Sequence, residues 1–308
     1  MVSNMLADAA HPERGRFVRD QVAALRALDG LDVELYEFPP GARALARAGV
    51  DLRRRFRSAR LDVVHAHFGL TAWPALAVPA RVRALTVHGT DLRHPRTRVA
   101  TAAVLPLIDL PAAVSDSLAR ELPGRAARRR ARVLPCGVDL ERFRPLPREQ
   151  ARLELGLDPA RPYLLFPADP ARPGKRHDLA LALARDAGVE LLTLGGVSPG
   201  RVALWVNAAN AVLVPSDNEG FGLAVLEALA CDVPVLATPV GIHADALRGV
   251  DGALCAPFEL ARWRAALEPH LHAADPRVPG RTSAERFSVR TMADRVADAW
   301  RETLQRSG

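Results

Sequence analysis

The chain has 308 residues, 49% hydrophobic and 25% charged, which predicts a packed globular protein of one large or two ordinary domains. No apolar run reaches the roughly 18 residues that a membrane helix needs, no secretory leader is expected from the opening "MVSNMLADAAHPERGRF", and Cys136, Cys231 and Cys255 are too few and too scattered for a disulfide framework or a metal spacing. The net charge of +7 is unevenly spread: residues 1–145 hold 24 Arg against 15 Asp+Glu, while residues 146–308 hold 18 Lys+Arg against 20 Asp+Glu.

Helical spacing begins at "GRFVRDQVAALRAL" (15–28). Short apolar runs follow at "LDVVHAHF" (61–68), "RALTVHG" (83–89), "PAAVSD" (111–116) and "ARVLPCG" (131–137), with a helical pattern in "SDSLARELPG" (115–124). Proline and charge rise in "GVDLERFRPLPREQ" (137–150), which marks a domain break. A second series follows the helix "REQARLELGL" (148–157). Its strands are "PYLLFPA" (162–168), "VELLTLGG" (189–196), "AVLVPS" (211–216) and "VPVLATPVG" (233–241), with helices at 176–188 and 222–231. The segment 283–304 closes the chain as one or two helices. Continuous apolar strands alternating with helices predict parallel sheets covered on both faces, and two such series predict two doubly wound α/β domains.

In open α/β sheets, ligands sit beyond the carboxyl ends of the strands. Three loops there carry chemistry. In "SDNEGFGLAVLEALA" (216–230), Glu219 precedes a Gly220-Phe221-Gly222 turn and Glu227 lies on the helix that follows. The first N–H groups of that helix suit a phosphate. A carboxylate suits two vicinal hydroxyls, as on a ribose. Against this stands a plain structural reading, with Glu219 as a favourable charge near a helix N-terminus and Glu227 on a solvated face. In "FPADPARPGKRHDLALALA" (166–184), Arg172 and Lys175 stand where cations can neutralise a diphosphate leaving group. Of 42 basic residues, Lys175 is the only lysine. In "TVHGTD" (86–91), His88 ends a buried strand and can donate to a sugar hydroxyl or a leaving phosphate. His65 and His67 read as packing and loop-shaping residues, without a third ligand for a metal.

The basic runs "RRRFR" (53–57) and "RAARRRAR" (125–132) attract anionic surfaces. No recognition motif accompanies them and aromatics are scarce, which argues against nucleic acid. No G-x-G-x-x-G opens a helix after a strand, which argues against a nicotinamide dehydrogenase.

The stretch 216–230 resembles the E-x7-E region of retaining glycosyltransferases of family 4, with Glu219 and Glu227 as its glutamates. "GRFVRDQVAALRAL", "VVHAHFG", "TVHGTD", "LPCGVDLERFRP" and "VPVLATPVGIHADAL" resemble further family segments in the same order, over nearly the whole chain. The resemblance implies a GT-B fold with two Rossmann-like domains facing a cleft: 1–145 on the acceptor side, 146–282 binding the nucleotide sugar, and 283–308 crossing back to the first domain. It implies a metal-independent, retaining, hexosyltransferase-like enzyme without a cofactor. A UDP- or GDP-sugar would be the donor and a lipid or saccharide the acceptor, in cell-envelope glycoconjugate synthesis.

Carried over, Glu227 would bind the ribose and Glu219 the donor sugar. The amides of Phe221, Gly222 and Leu223, at the turn begun by Gly220, would hold phosphate. Arg172 and Lys175 would hold the diphosphate, and His88 would contact the sugar. The basic first domain would suit a cytoplasmic protein resting on the inner, anionic membrane face. The sequence departs from the pattern in four places. Pro170 stands where the family's arginine usually lies, Cys136 replaces a usual asparagine, the stretch between "LGG" and "LWVNAANAVLVPS" is short, and the first strand is expected to be truncated. A catalytically idle sugar-nucleotide-binding protein or partner subunit is the competing expectation.

Overall fold

The computed structural model describes residues 1–9 and 11–307. The chain divides into two compact units, Met1–Gly137 with Val289–Gly308, and Val138–Ser288. Each is a parallel sheet flanked by helices, as the alternating pattern predicts.

The first unit contains strands β1 (Val2–Ser3), β2 (Tyr36–Glu37), β3 (Leu61–His67), β4 (Ala80–Val87), β5 (Leu110–Ala113) and β6 (Arg132–Val133). They order as β2-β1-β3-β4-β5-β6, and the pairs are parallel. β1 has only two residues, yet it pairs with both β2 and β3. The helix Arg16–Arg26 buries Val18, Gln21, Val22 and Leu25, a stripe at the three-to-four spacing of one helix face. It begins at Gly15, whose φ is +70° and where a Cβ would stand 2.3 Å from Met5 O, so only glycine fits. The long closing helix Val289–Ser307 buries Met292, Val296 and Trp300 on one side. Val296 and Trp300 join Val22, Leu25, Val82 and Leu110 in one core, so the end of the chain completes the first unit.

The second unit contains β7 (Tyr163–Phe166), β8 (Glu190–Thr193), β9 (Ala211–Val214), β10 (Val235–Ala237) and β11 (Leu254–Cys255), ordered β11-β10-β9-β7-β8 and parallel. β7 and β9 are buried at every position, which is why they read as unbroken apolar runs. Their core is Leu164, Phe166, Leu183, Leu213, Leu236, Trp263 and Leu267. The closing segment forms two helices, Arg281–Glu285 and Val289–Ser307; the first belongs to the second unit.

Candidate active site

In the second unit, two loops meet beyond the carboxyl ends of β7 and β9. After β7, a short 3-10 turn at Pro173–Lys175 sets Lys175, and Asp217 N donates to Gly174 O at 3.0 Å to tie the two loops together. The Lys175 ammonium donates to Glu219 Oε1 at 2.5 Å, and Ser216 Oγ donates to the same oxygen at 2.8 Å. Burial pushes the Glu219 carboxyl up, but the Lys175 charge, its hydrogen bond and that of Ser216 outweigh it, and the group stays below its ordinary range. Glu219 is therefore an anion held in place beside the one lysine. Arg172 is exposed at the head of the turn. Arg176 next to Lys175 has a left-handed φ of +58°, and its guanidinium pairs with Asp178 and Asp217.

The turn after Glu219 leads into the helix Leu223–Ala230. Gly222 is its N-cap, with φ +113°, and offers no side-chain cap. A Cβ there would stand 2.5 Å from His243 Nε2. Phe221 is buried, and its carbonyl accepts from Ile242 N at 2.9 Å. Gly220 and Leu223 lie half-buried on either side of the turn, and Glu227 lies half-buried one helical turn past Leu223. The structure thus brings Lys175 and Glu219 together and places Gly222 at the helix start, with Glu227 farther along the same helix.

Sequence reasoning missed the support beneath this turn. Thr238 Oγ1 donates to Ser216 O at 2.6 Å, and His243 Nδ1–H donates to Thr238 O at 2.8 Å. His243 is fully buried, and burial lowers its pKa, so it is neutral. It lies in the segment that resembled the family pattern, but nothing in the spacing singles it out.

In the first unit, His88 follows β4. Its backbone N–H donates to Asp91 Oδ2 at 2.6 Å, while Gly69 N donates to Asp91 Oδ1 at 2.7 Å, so one buried carboxylate shapes two strand-end loops. Phe17 and Phe68 flank the His88 ring at centroid distances of 4.8 and 4.6 Å. His67 Nδ1 and His88 Nε2 are 2.9 Å apart. His65 stacks on His67, approaches Thr86 Oγ1 at 2.8 Å, and accepts from Trp300 Nε1 at 3.0 Å. Burial drops the pKa values of His65 and His88 to about 3, and His67 is also lowered, so all three imidazoles are neutral near pH 7. Among the described residues no three His, Cys, Asp or Glu side chains could hold a metal ion, and no helix is long and apolar enough to cross a membrane.

A cleft of about 680 Å³ opens beyond β2 in the same unit, lined by Tyr36, Phe38, Arg43, Arg47 and Asp51 among others. Arg43 and Arg47 stand one turn apart on the helix Ala42–Phe56.

Two doubly wound parallel sheets, with a glycine turn and paired cation and carboxylate at the strand ends of the second, are the parts of a GT-B fold. Residues 8–142 match the family model "Glycosyltransferase Family 4", and residues 174–277 match "Glycosyl transferases group 1". The D-inositol 3-phosphate glycosyltransferase of Actinosynnema mirum is 33% identical, over 88% of this chain and 79% of that protein. Its namesake from Mycobacterium marinum is 30% identical, over 94% and 73%. The chain belongs to glycosyltransferase family 4. Among solved structures, a sucrose-phosphate synthase from Thermosynechococcus elongatus superimposes with a TM-score of 0.73 at 18% identity, covering 99% of each chain. Anabaena HepE in complex with UDP and glucose gives 0.68 at 15% identity, over 96% of this chain and 98% of that one. These likenesses show the fold.

Proposed function

We propose that this glycosyltransferase moves a hexosyl group from a UDP- or GDP-sugar to a lipid or saccharide acceptor, with retention of anomeric configuration and without a metal ion. The observation that carries the reading is the Lys175–Glu219 pair beside the N-terminus of the helix that bears Glu227. Lys175, with Arg172, would take up charge on the diphosphate, the role a metal plays elsewhere. The helix amides from Phe221 to Leu223 would meet a phosphate, Glu227 the ribose hydroxyls, and Glu219 the hydroxyls of the sugar. In transfer, the bond from the anomeric carbon to the β-phosphate oxygen breaks and a bond to the acceptor oxygen forms on the same face. The acceptor's proton goes to the leaving phosphate oxygen. His88, neutral, would donate a hydrogen bond to a substrate oxygen.

The acceptor would bind in the first unit. Arg43 and Arg47 in its cleft would meet an anionic group, with the carboxylates of Glu37 and Asp51 beside them for hydroxyls, in keeping with relatives named for inositol 3-phosphate. The basic first unit would rest against an anionic inner membrane face, in cell-envelope glycoconjugate synthesis.

The test is calorimetry of the purified chain against UDP, GDP, ADP and their sugar conjugates, without added metal. It is followed by transfer assays with the donor that binds and NMR of the product's anomeric proton. Binding of one nucleotide and a retained anomer support the reading. A folded protein that binds none of them, or a product of inverted configuration, overturns it.

A further inference from the structure

In the first unit His65 and His67 are buried and His88 half-buried, and their hydrogen-bond partners constrain their proton positions. Trp300 Nε1 is only a donor, so His65 Nδ1, 3.0 Å away, is the acceptor. A neutral His65 then carries its proton on Nε2 and donates it to Thr86 Oγ1. The contact between His67 Nδ1 and His88 Nε2 allows two arrangements. If His88 Nε2–H donates, His67 must carry its own proton on Nε2, which is sealed from solvent and has no partner among the described residues. A buried N–H without an acceptor is rare and costly. If instead His67 Nδ1–H donates, the sealed Nε2 holds only a lone pair, the cheaper orphan.

We propose that His67 donates its Nδ1 proton to His88 Nε2 and so fixes His88 as its Nδ1–H tautomer, which makes His67 a positioning residue. His88 Nδ1 is not among the sealed, unpartnered atoms, and it stands at the strand-end loop where a substrate would lie. The ring therefore presents an N–H outward and not a lone pair. Phe17 and Phe68 on its flanks offer no competing acceptor, and the Asp91 carboxylate, three residues on, is taken up by backbone N–H groups. His88 is thus built to donate to a substrate oxygen and cannot serve there as a base. The tautomer stands on this geometry; its use toward a substrate oxygen rests on the function proposed above.

The test is nitrogen NMR of the full chain with ring-labelled histidine near pH 7. Nine histidines give nine pairs of ring-nitrogen signals, and the His88→Gln spectrum assigns the pair that matters. The expected result is His88 protonated on Nδ1 in the wild type and in His67→Asn, whose amide can still donate from the same place. In His67→Leu, His88 should move toward the Nε2–H tautomer. Transfer efficiency, kcat/KM, should fall about tenfold in His67→Leu and be largely restored in His67→Asn, the loss of one aligned hydrogen bond. A wild-type His88 protonated on Nε2 overturns the proposal. So does an unchanged tautomer in folded His67→Leu. If His67→Leu fails to fold, the wild-type and His67→Asn spectra decide. The spectra need no substrate, so failure of the proposed transfer reaction would be seen separately.

Discussion

Lys175 Nζ and Glu219 Oε1 lie 2.5 Å apart, joined across 44 residues of chain at the strand ends of one sheet. The side chains are only 20% and 10% exposed, so neither charge is comfortable without the other. Lys175→Met should destabilise the second unit by about 1–3 kcal/mol and raise the Glu219 pKa, because burial would no longer be offset. Denaturant titration at pH 7 and again near pH 5 reads both effects. Turnover of the sugar nucleotide should fall as well.

If Glu227 binds the ribose as proposed, Glu227→Ala should weaken nucleotide binding about tenfold to a hundredfold, the loss of one charge-assisted hydrogen bond. Calorimetry against the preferred nucleotide checks it. Unchanged affinity in a folded variant would remove Glu227 from the site.

Gly222→Ala combines two penalties: a φ of +113° that side chains rarely adopt, and a Cβ placed 2.5 Å from His243 Nε2. The expected cost is about 2–4 kcal/mol, of which the backbone share is about 1–3. In Gly222→Ala/His243→Ala the contact is gone and the φ strain remains. The pair should therefore be less destabilising than the sum of the two single changes, measured by denaturation midpoints in a double-mutant cycle.

His65 and His88 have folded pKa values of about 3 against an ordinary 6.5. The unfolded chain binds protons in this interval and the folded chain does not. Their contribution is therefore fully present above about pH 6.5 and is lost as the pH falls toward 3, at up to about 1.4 kcal/mol per pH unit for the buried His65 ring and less for the half-buried His88. His67 and His243, also lowered by burial, act in the same direction. Stability measured between pH 6.5 and 5 should decline, and His88→Gln should flatten the decline by its share.

Arg43 and Arg47 line one cleft. Changing either to alanine should raise KM for an acceptor bearing a phosphate about tenfold, and raise it little for the uncharged sugar. The difference should shrink as salt is increased. Steady-state kinetics with the paired acceptors would show it.

Much of the fold was readable in the sequence for a physical reason. β7, β8, β9 and β10 are apolar runs bounded by turn residues, and each appears where its run predicts. β1 and β2 have two residues each, too few to show any periodicity. The helix Ala42–Phe56 was visible only as a basic run, because arginines surround its buried stripe of Ala48, Leu52 and Phe56. The helix Leu260–His272 contains Pro269, which breaks the usual helical signal, although Trp263, Leu267 and His270 are buried at regular spacing. In the site, residues on either side of the glycine turn were legible because glycine and carboxylate stand close in sequence. The contact between Lys175 and Glu219, the support by Thr238 and His243, and the imidazole pair His67–His88 arise only when distant strands align. β3 and β4 pair His67 with Thr86, which sets His88 beside His67.

The first unit is assembled from the two ends of the chain, and Trp300 seals His65 from the far end. During synthesis the second unit, Val138–Ser288, has all its residues before the first has its last helix. Until that helix emerges from the ribosome, the apolar face around Val22, Leu25 and Val82 lacks its cover and the histidine cluster its lid. The order of maturation is thus reversed from the order of translation, and the nascent N-terminal half must be kept from sticking to its neighbours while it waits.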